Sequence, residues 1–149
     1  MQQFVIDVSI RESIFEIQKS HDFKTETGGI LAGVYDKDNC CLRITDMSFP
    51  SPEDVRGRLL FYRKSQGHQE FMDGLWETSN YTKAYVGEWH THDQEEPIPS
   101  HVDKRTWRRI AKQNNNFNDC LFMIIGKKVA VVWRVENDVI SEIGRVQRK

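Results

Sequence analysis

The chain has 149 residues, 38% of them hydrophobic and 29% charged, which is one domain's worth with apolar side chains enough for one core. A net charge of -1 gives no general pull toward nucleic acid or an acidic membrane surface, and no apolar run is long enough to span a bilayer. Met1–Ile10 lacks the basic start and cleavage site of a signal peptide, and three cysteines, two of them adjacent (Cys40, Cys41), make no disulfide framework, so a reducing cytoplasm is expected.

In chain order, Phe4–Val8 reads as a short strand, and Ser9 is placed to cap a helix over residues 10–20. Ile10, Ile14 and Ile17, with Phe15, fall there at helical spacing. His21 follows as a charge suited to the helix's negative end. Glu26 then opens the apolar strand Gly28–Tyr35, which turns at Asp36–Asn39 and returns as Cys40–Met47, a hairpin with both cysteines in the strand as small hydrophobes. Ser48–Gly57 reads as loop and Arg58–Tyr62 as a strand. Gly67–Tyr81 carries Phe71, Leu75 and Trp76 near a helical period, with His68 taken to the surface.

Ala84–His92 is expected as a strand, followed by a proline-closed loop and a helix over 100–113. Val102, Trp107, Ile110 and Ala111 give that helix an apolar stripe. Lys104, Arg105, Arg108, Arg109 and Lys112 fill its other face, either simply solvated or turned to an acidic protein partner. Cys120–Ile125 and Val129–Val135 form a second hairpin around Gly126-Lys127-Lys128. A last strand runs to Ile143, and the tail Arg145–Lys149 is expected to fray. This irregular mixture predicts a single α+β domain over 1–149, a mixed sheet flanked by helices.

Chemistry concentrates in Gly87–Asp103. Positions two apart on a strand share a face, so His90 and His92 present two imidazoles side by side. Asp103, in the first turn of the next helix, is placed to swing back as a third ligand. Two histidines and a carboxylate with one position open is a catalytic rather than a structural zinc arrangement. Each piece also has a plainer reading: a His-x-His pair as polar residues on a solvated strand face, and Ser100-x-x-Asp103 as an N-cap with an acid at N3. The cap and ligand roles are compatible in one residue. His101, exposed in the cap turn, is left out of the ligand set.

Glu26 ahead of a glycine-punctuated strand, together with His90-x-His92-x7-Ser100-x2-Asp103, resembles the JAMM (MPN+) metalloprotease family over roughly residues 1–135. The resemblance implies a curved mixed sheet with helices against it, the cytidine-deaminase-like JAMM/MPN fold. It implies His90, His92 and Asp103 as ligands of one zinc ion with a bound water, Glu26 as general base and Ser100 as oxyanion stabiliser. Gly28 and Gly29 then read equally as packing positions and as room for the backbone behind Glu26 to approach the metal. Where the family commonly has proline after the second histidine, this chain has Asp93. Glu88, or a backbone carbonyl, is the acceptor expected to fix a histidine's second nitrogen.

JAMM enzymes cut peptide or isopeptide bonds after the C-terminal tail of a ubiquitin-like protein, and Gly57–Tyr62 matches the place where the family presents an edge strand to such a tail. The Gly-Glu-Trp-His-Thr-His run in a short chain is similar to the bacterial JAMM isopeptidases of CBASS antiphage operons, which release a conjugated CD-NTase C-terminus. The expected partner is therefore a protein substrate with an extended C-terminal tail, a conjugated CD-NTase or ubiquitin-like protein, with no nucleic acid and no membrane. Two other functions fit the same pattern: a metal-free MPN scaffold that only binds partners, and a zinc peptidase trimming a sulfur-carrier or ubiquitin-like precursor.

Overall fold

The structure, a computed structural model, describes residues 3–38, 40–49, 55–56, 61–62, 65–113 and 120–148, with backbone alone at 55–56, 61–62 and 65–67. Its elements run β1 (Gln3–Ile6), α1 (Val8–Ser20), β2 (Gly28–Asp36), β3 (Cys41–Met47), β4 (Val55–Arg56), β5 (Phe61–Tyr62), α2 (Ser65–Thr78), β6 (Ala84–Thr91), α3 (His101–Gln113), β7 (Cys120–Ile125), β8 (Val129–Glu136) and β9 (Val139–Gln147). Seven strands form one sheet in the order β1-β3-β2-β6-β7-β8-β9. The β1–β3 and β6–β7 pairs are parallel and the others antiparallel, so the sheet is mixed as expected.

Strand parity splits the core in two. Leu121, Met123 and Ile125 of β7, Ala130 and Val132 of β8, and Trp89 of β6 face α1, whose Ile10 and Ile14 are buried among them. Phe122, Ile124, Val131 and Trp133 turn to the opposite face, where Trp107 of α3 stacks on Phe122 at a centroid distance of 4.9 Å. Central strands covered on both sides need apolar residues at every position. This accounts for β7, in which all six residues are buried.

Several local expectations are corrected. Asp7, not Ser9, occupies the N-cap position of α1, and its carboxylate goes to Arg43 at 2.6 Å rather than to the helix. Cys40 lies in the exposed turn with φ of 48°, while Cys41 starts β3. Val55–Arg56, read as loop, pairs with Phe61–Tyr62. The rest of the expected Arg58–Tyr62 strand, and with it most of the Gly57–Tyr62 edge, lies outside the described residues. Val102 is 54% exposed and leaves the apolar stripe of α3, in which Trp107 is the buried residue. The tail does not fray before Gln147: Val129 pairs with Gln147, Val146 is buried, and Arg145 bonds Glu142 and Glu96.

Candidate metal centre

The site lies where β2, β6 and the start of α3 meet. Gly28 is the register partner of His90, and a Cβ on Gly28 would collide with the carbonyl oxygen of Trp89. Only glycine lets the two backbones lie this close. Just before it, the Thr27 N–H donates to Thr91 Oγ1 at 3.0 Å and the Thr27 carbonyl accepts the Thr91 N–H at 2.9 Å. That reciprocal clamp brings Glu26 beside the end of β6.

His90 and His92 share a face as their spacing predicts, with their Nε2 atoms 3.1 Å apart. Asp103 completes a triangle, Oδ1 lying 3.3 Å from His90 Nε2 and Oδ2 3.2 Å from His92 Nε2. Taking one ligand atom from each residue, the three lie within 4.8 Å of one another, close enough to share one ion, and the two imidazole nitrogens alone are near the roughly 3.3 Å that separates donors on a tetrahedral zinc. Glu26 Oε1 is 3.7 Å from His92 Nε2, outside the triangle but beside it. The four side chains are between 10% and 17% exposed, dry enough to strengthen their interactions yet open to a substrate.

Ser100 and Asp103 form a reciprocal cap. Ser100 Oγ accepts the Asp103 N–H at 3.0 Å, and Asp103 Oδ2 accepts the Ser100 N–H at 2.9 Å. The cap and ligand readings thus hold together: the bond that starts α3 also aims Asp103 at the histidines. Burial works against the charged Asp103 carboxylate, but hydrogen bonds from His90 and His92, and then the Ser100 N–H, hold its pKa far below the ordinary value. Desolvation raises the Glu26 carboxyl above its ordinary range, with His90 and His92 partly pulling it back. Burial pulls His92 down, but Asp103, Gln94 and Glu26 together leave its pKa raised.

Gln94 was missed in the sequence and His68 was misjudged. Gln94 Oε1 accepts the Ile98 N–H at 3.0 Å and sits 3.1 Å from His92 Nδ1. An oxygen already serving as acceptor there keeps the proton on Nδ1, so that Nε2 offers a lone pair once the ring gives up the proton it shares with Asp103. Glu88, weighed for such a role, accepts from the Tyr85 hydroxyl at 2.7 Å. Asp93, in place of proline, is paired with Lys127 at 2.8 Å. His68, read as surface, is 1% exposed, with Nδ1 2.7 Å from Ser48 Oγ, which also takes the Ile30 N–H. Its spacing from Phe71, Met72 and Leu75 (i, i+3, i+4, i+7) was the available signal that it faces inward.

Residues 11–137 match the family described as prokaryotic homologs of the JAB domain. The chain belongs to that family. This JAB domain is 28% identical over 134 residues to a CD-NTase/cGAS isopeptidase of Vibrio cholerae, covering 90% of this chain and 83% of that one. It is 33% identical over 125 residues to an Escherichia coli protein of the same name, covering 82% and 76%. A probable metalloprotease of Sinorhizobium fredii is 32% identical over 93 residues, 62% of the JAB domain and 55% of the relative. The solution structure of protein DSY2949 from Desulfitobacterium hafniense superposes with a TM-score of 0.61 at 17% identity, over 95% of this chain and 90% of that one, which shows the common fold. Among the described residues no helix of the JAB domain is long and apolar enough to cross a membrane.

Proposed function

We propose that this chain is a zinc-dependent isopeptidase that hydrolyses the amide bond after the C-terminal tail of a conjugated protein, reversing attachment of a CD-NTase to its target in antiphage defence. The observation that carries the proposal is the His90–His92–Asp103 triangle with Glu26 beside it. The relatives' names supply the substrate class.

His90, His92 and Asp103 hold the ion. When bound, zinc polarises the scissile carbonyl and lowers the pKa of water to about 7. Glu26, lifted by burial, takes a proton from the attacking water and gives it to the departing amine, so that one water and one amide become a carboxylate and a free amine. The Ser100 hydroxyl accepts from the helix, which leaves its own proton to donate to the carbonyl oxygen as negative charge develops there. Gln94 keeps His92 in the ligating tautomer.

The test uses zinc-loaded protein and a conjugate joining a CD-NTase C-terminus to a lysine. Glu26→Gln should keep its zinc while release of the free CD-NTase falls at least about a hundredfold. Unimpaired release in that variant removes Glu26 from its role, and release by chelated wild type removes the metal from the reaction.

A further inference from the structure

Residues 92–100, which join β6 to α3 and so connect two corners of the triangle, form neither helix nor strand. They are held instead by the turn between β7 and β8. The His92 N–H donates to the Ile125 carbonyl at 3.1 Å, and the Gln94 carbonyl accepts the Lys127 N–H at 2.7 Å. The Glu95 carbonyl accepts the N–H groups of Lys128 and Val129, each at 3.2 Å. A side chain adds to these bonds, with Lys127 Nζ 2.8 Å from Asp93 Oδ1. Behind the turn, Gln18 of α1 donates to the Gly126 carbonyl at 2.9 Å and ties it to the body of the domain.

Gly126 is where turn and loop come closest. A Cβ there would stand 2.7 Å from the Gln94 carbonyl oxygen, 2.7 Å from Pro97 Cδ and 2.8 Å from the Glu95 carbonyl oxygen. Its φ is not positive, so glycine supplies room at this point rather than a backbone conformation. Two of the three atoms are backbone and the third belongs to a proline ring, so none can swing aside. A side chain at 126 must therefore push the loop off the turn. With the loop would go the Gln94 carboxamide, whose oxygen stands 3.1 Å from His92 Nδ1 and accepts the Ile98 N–H at 3.0 Å.

Building on the zinc isopeptidase reading, we infer that the β7–β8 turn is a positioning element of the metal centre: Gly126 and Lys127 seat the loop so that Gln94 holds the His92 ring in its ligating orientation. Gly126 is the principal determinant and Lys127 a weaker one, since its ion pair is largely open to water.

The experiment titrates the metal-free full chain with cobalt(II), whose visible absorption bands report the geometry of its ligands. Gly126→Ala should weaken cobalt binding about tenfold and shift those bands while the far-UV circular dichroism stays native. The effect should run through Gln94, so adding Gly126→Ala to Gln94→Ala should weaken binding by only about twofold or less beyond Gln94→Ala alone. Lys127→Ala should weaken cobalt about two- to fivefold and Lys127→Arg should restore it, an arm that stands even where Gly126→Ala folds poorly. Gly144→Ala controls for general destabilisation, because the nearest atoms to its added Cβ all belong to the Phe4 ring, and it should leave cobalt affinity unchanged. Wild-type affinity and bands in both Gly126→Ala and Lys127→Ala overturn the positioning role and leave the isopeptidase standing. So does an equal loss in Gly144→Ala, or full additivity of Gly126→Ala with Gln94→Ala. A wild type that takes up no cobalt overturns both.

Discussion

On one face of the sheet β6 sends Trp89 into a dry cluster with Leu121, Met123 and the α1 residues Ile10 and Ile14. On the other, the very next position sends His90 to within 6.4 Å of the Trp107 ring and 3.3 Å of Asp103. Neighbouring residues of one strand thus divide between holding the sheet together and gathering polar groups. The α1 side carries stability through apolar burial. The α3 side carries a half-buried cluster of charges that an apolar replacement would stabilise more cheaply. The contrast shows that polar groups so placed are maintained by neighbours chosen for geometry: the Thr27–Thr91 clamp, the Ser100 cap and Gln94.

The sharpest way to break the contrast is His92→Ala. Zinc should fall from about one ion per chain to almost none by elemental analysis and hydrolysis to background, with thermal stability dropping to that of chelated wild type, because binding free energy is folding free energy. Retention of stoichiometric zinc would erase the distinction between the faces. On the opposite face Ile14, fully buried, should cost about 2–5 kcal/mol when cut to alanine, read by urea denaturation, with zinc affinity of the folded fraction unchanged. Gln94→Ala should leave the fold intact and weaken zinc about 10–100-fold in competition with a chromophoric chelator. An unchanged affinity would mean that the His92 tautomer is set elsewhere.

The smallest effect is one of pH. In chelated protein the His92 pKa is raised above its ordinary 6.5 by Asp103, Gln94 and Glu26 against the opposing effect of burial. The stability this contributes is complete below 6.5 and is lost as pH rises through the raised folded-state value. Asp103, depressed, keeps its contribution throughout that range and loses it only in strong acid. Chelated protein should therefore melt slightly higher at pH 6 than at pH 8. Zinc-loaded protein should show the reverse order, since protons compete with the ion.

What sequence could convey depended on the range of the interaction. The shared face of His90 and His92, and the pairing of Ser100 with Asp103, follow from periodicities of two and three and are visible locally. So are the two-sided burial of Cys120–Ile125 and the hairpin that follows. Glu26 was locatable only through family resemblance, because its place depends on the β2–β6 register that sets Gly28 against His90. His68 was misplaced although its helical spacing from Phe71, Met72 and Leu75 marks the inward face of α2; what no local pattern shows is that Ser48 lies there to meet it. The ordered tail escaped because a partner strand, not its own basic composition, holds it in line.

The Thr27–Thr91 clamp spans 64 positions, whereas the residues set to hold the ion fall within one strand-loop-helix unit, 13 positions from His90 to Asp103 (103 − 90). Closing the longer loop costs about 1.4 kcal/mol more in chain entropy. On the proposed reading, closure of the three-residue cluster and arrival of Glu26 beside it are thus separable folding events. Metal content alone would then overstate the fraction of working molecules, since a misassembled chain could hold the ion without the Glu26 carboxylate.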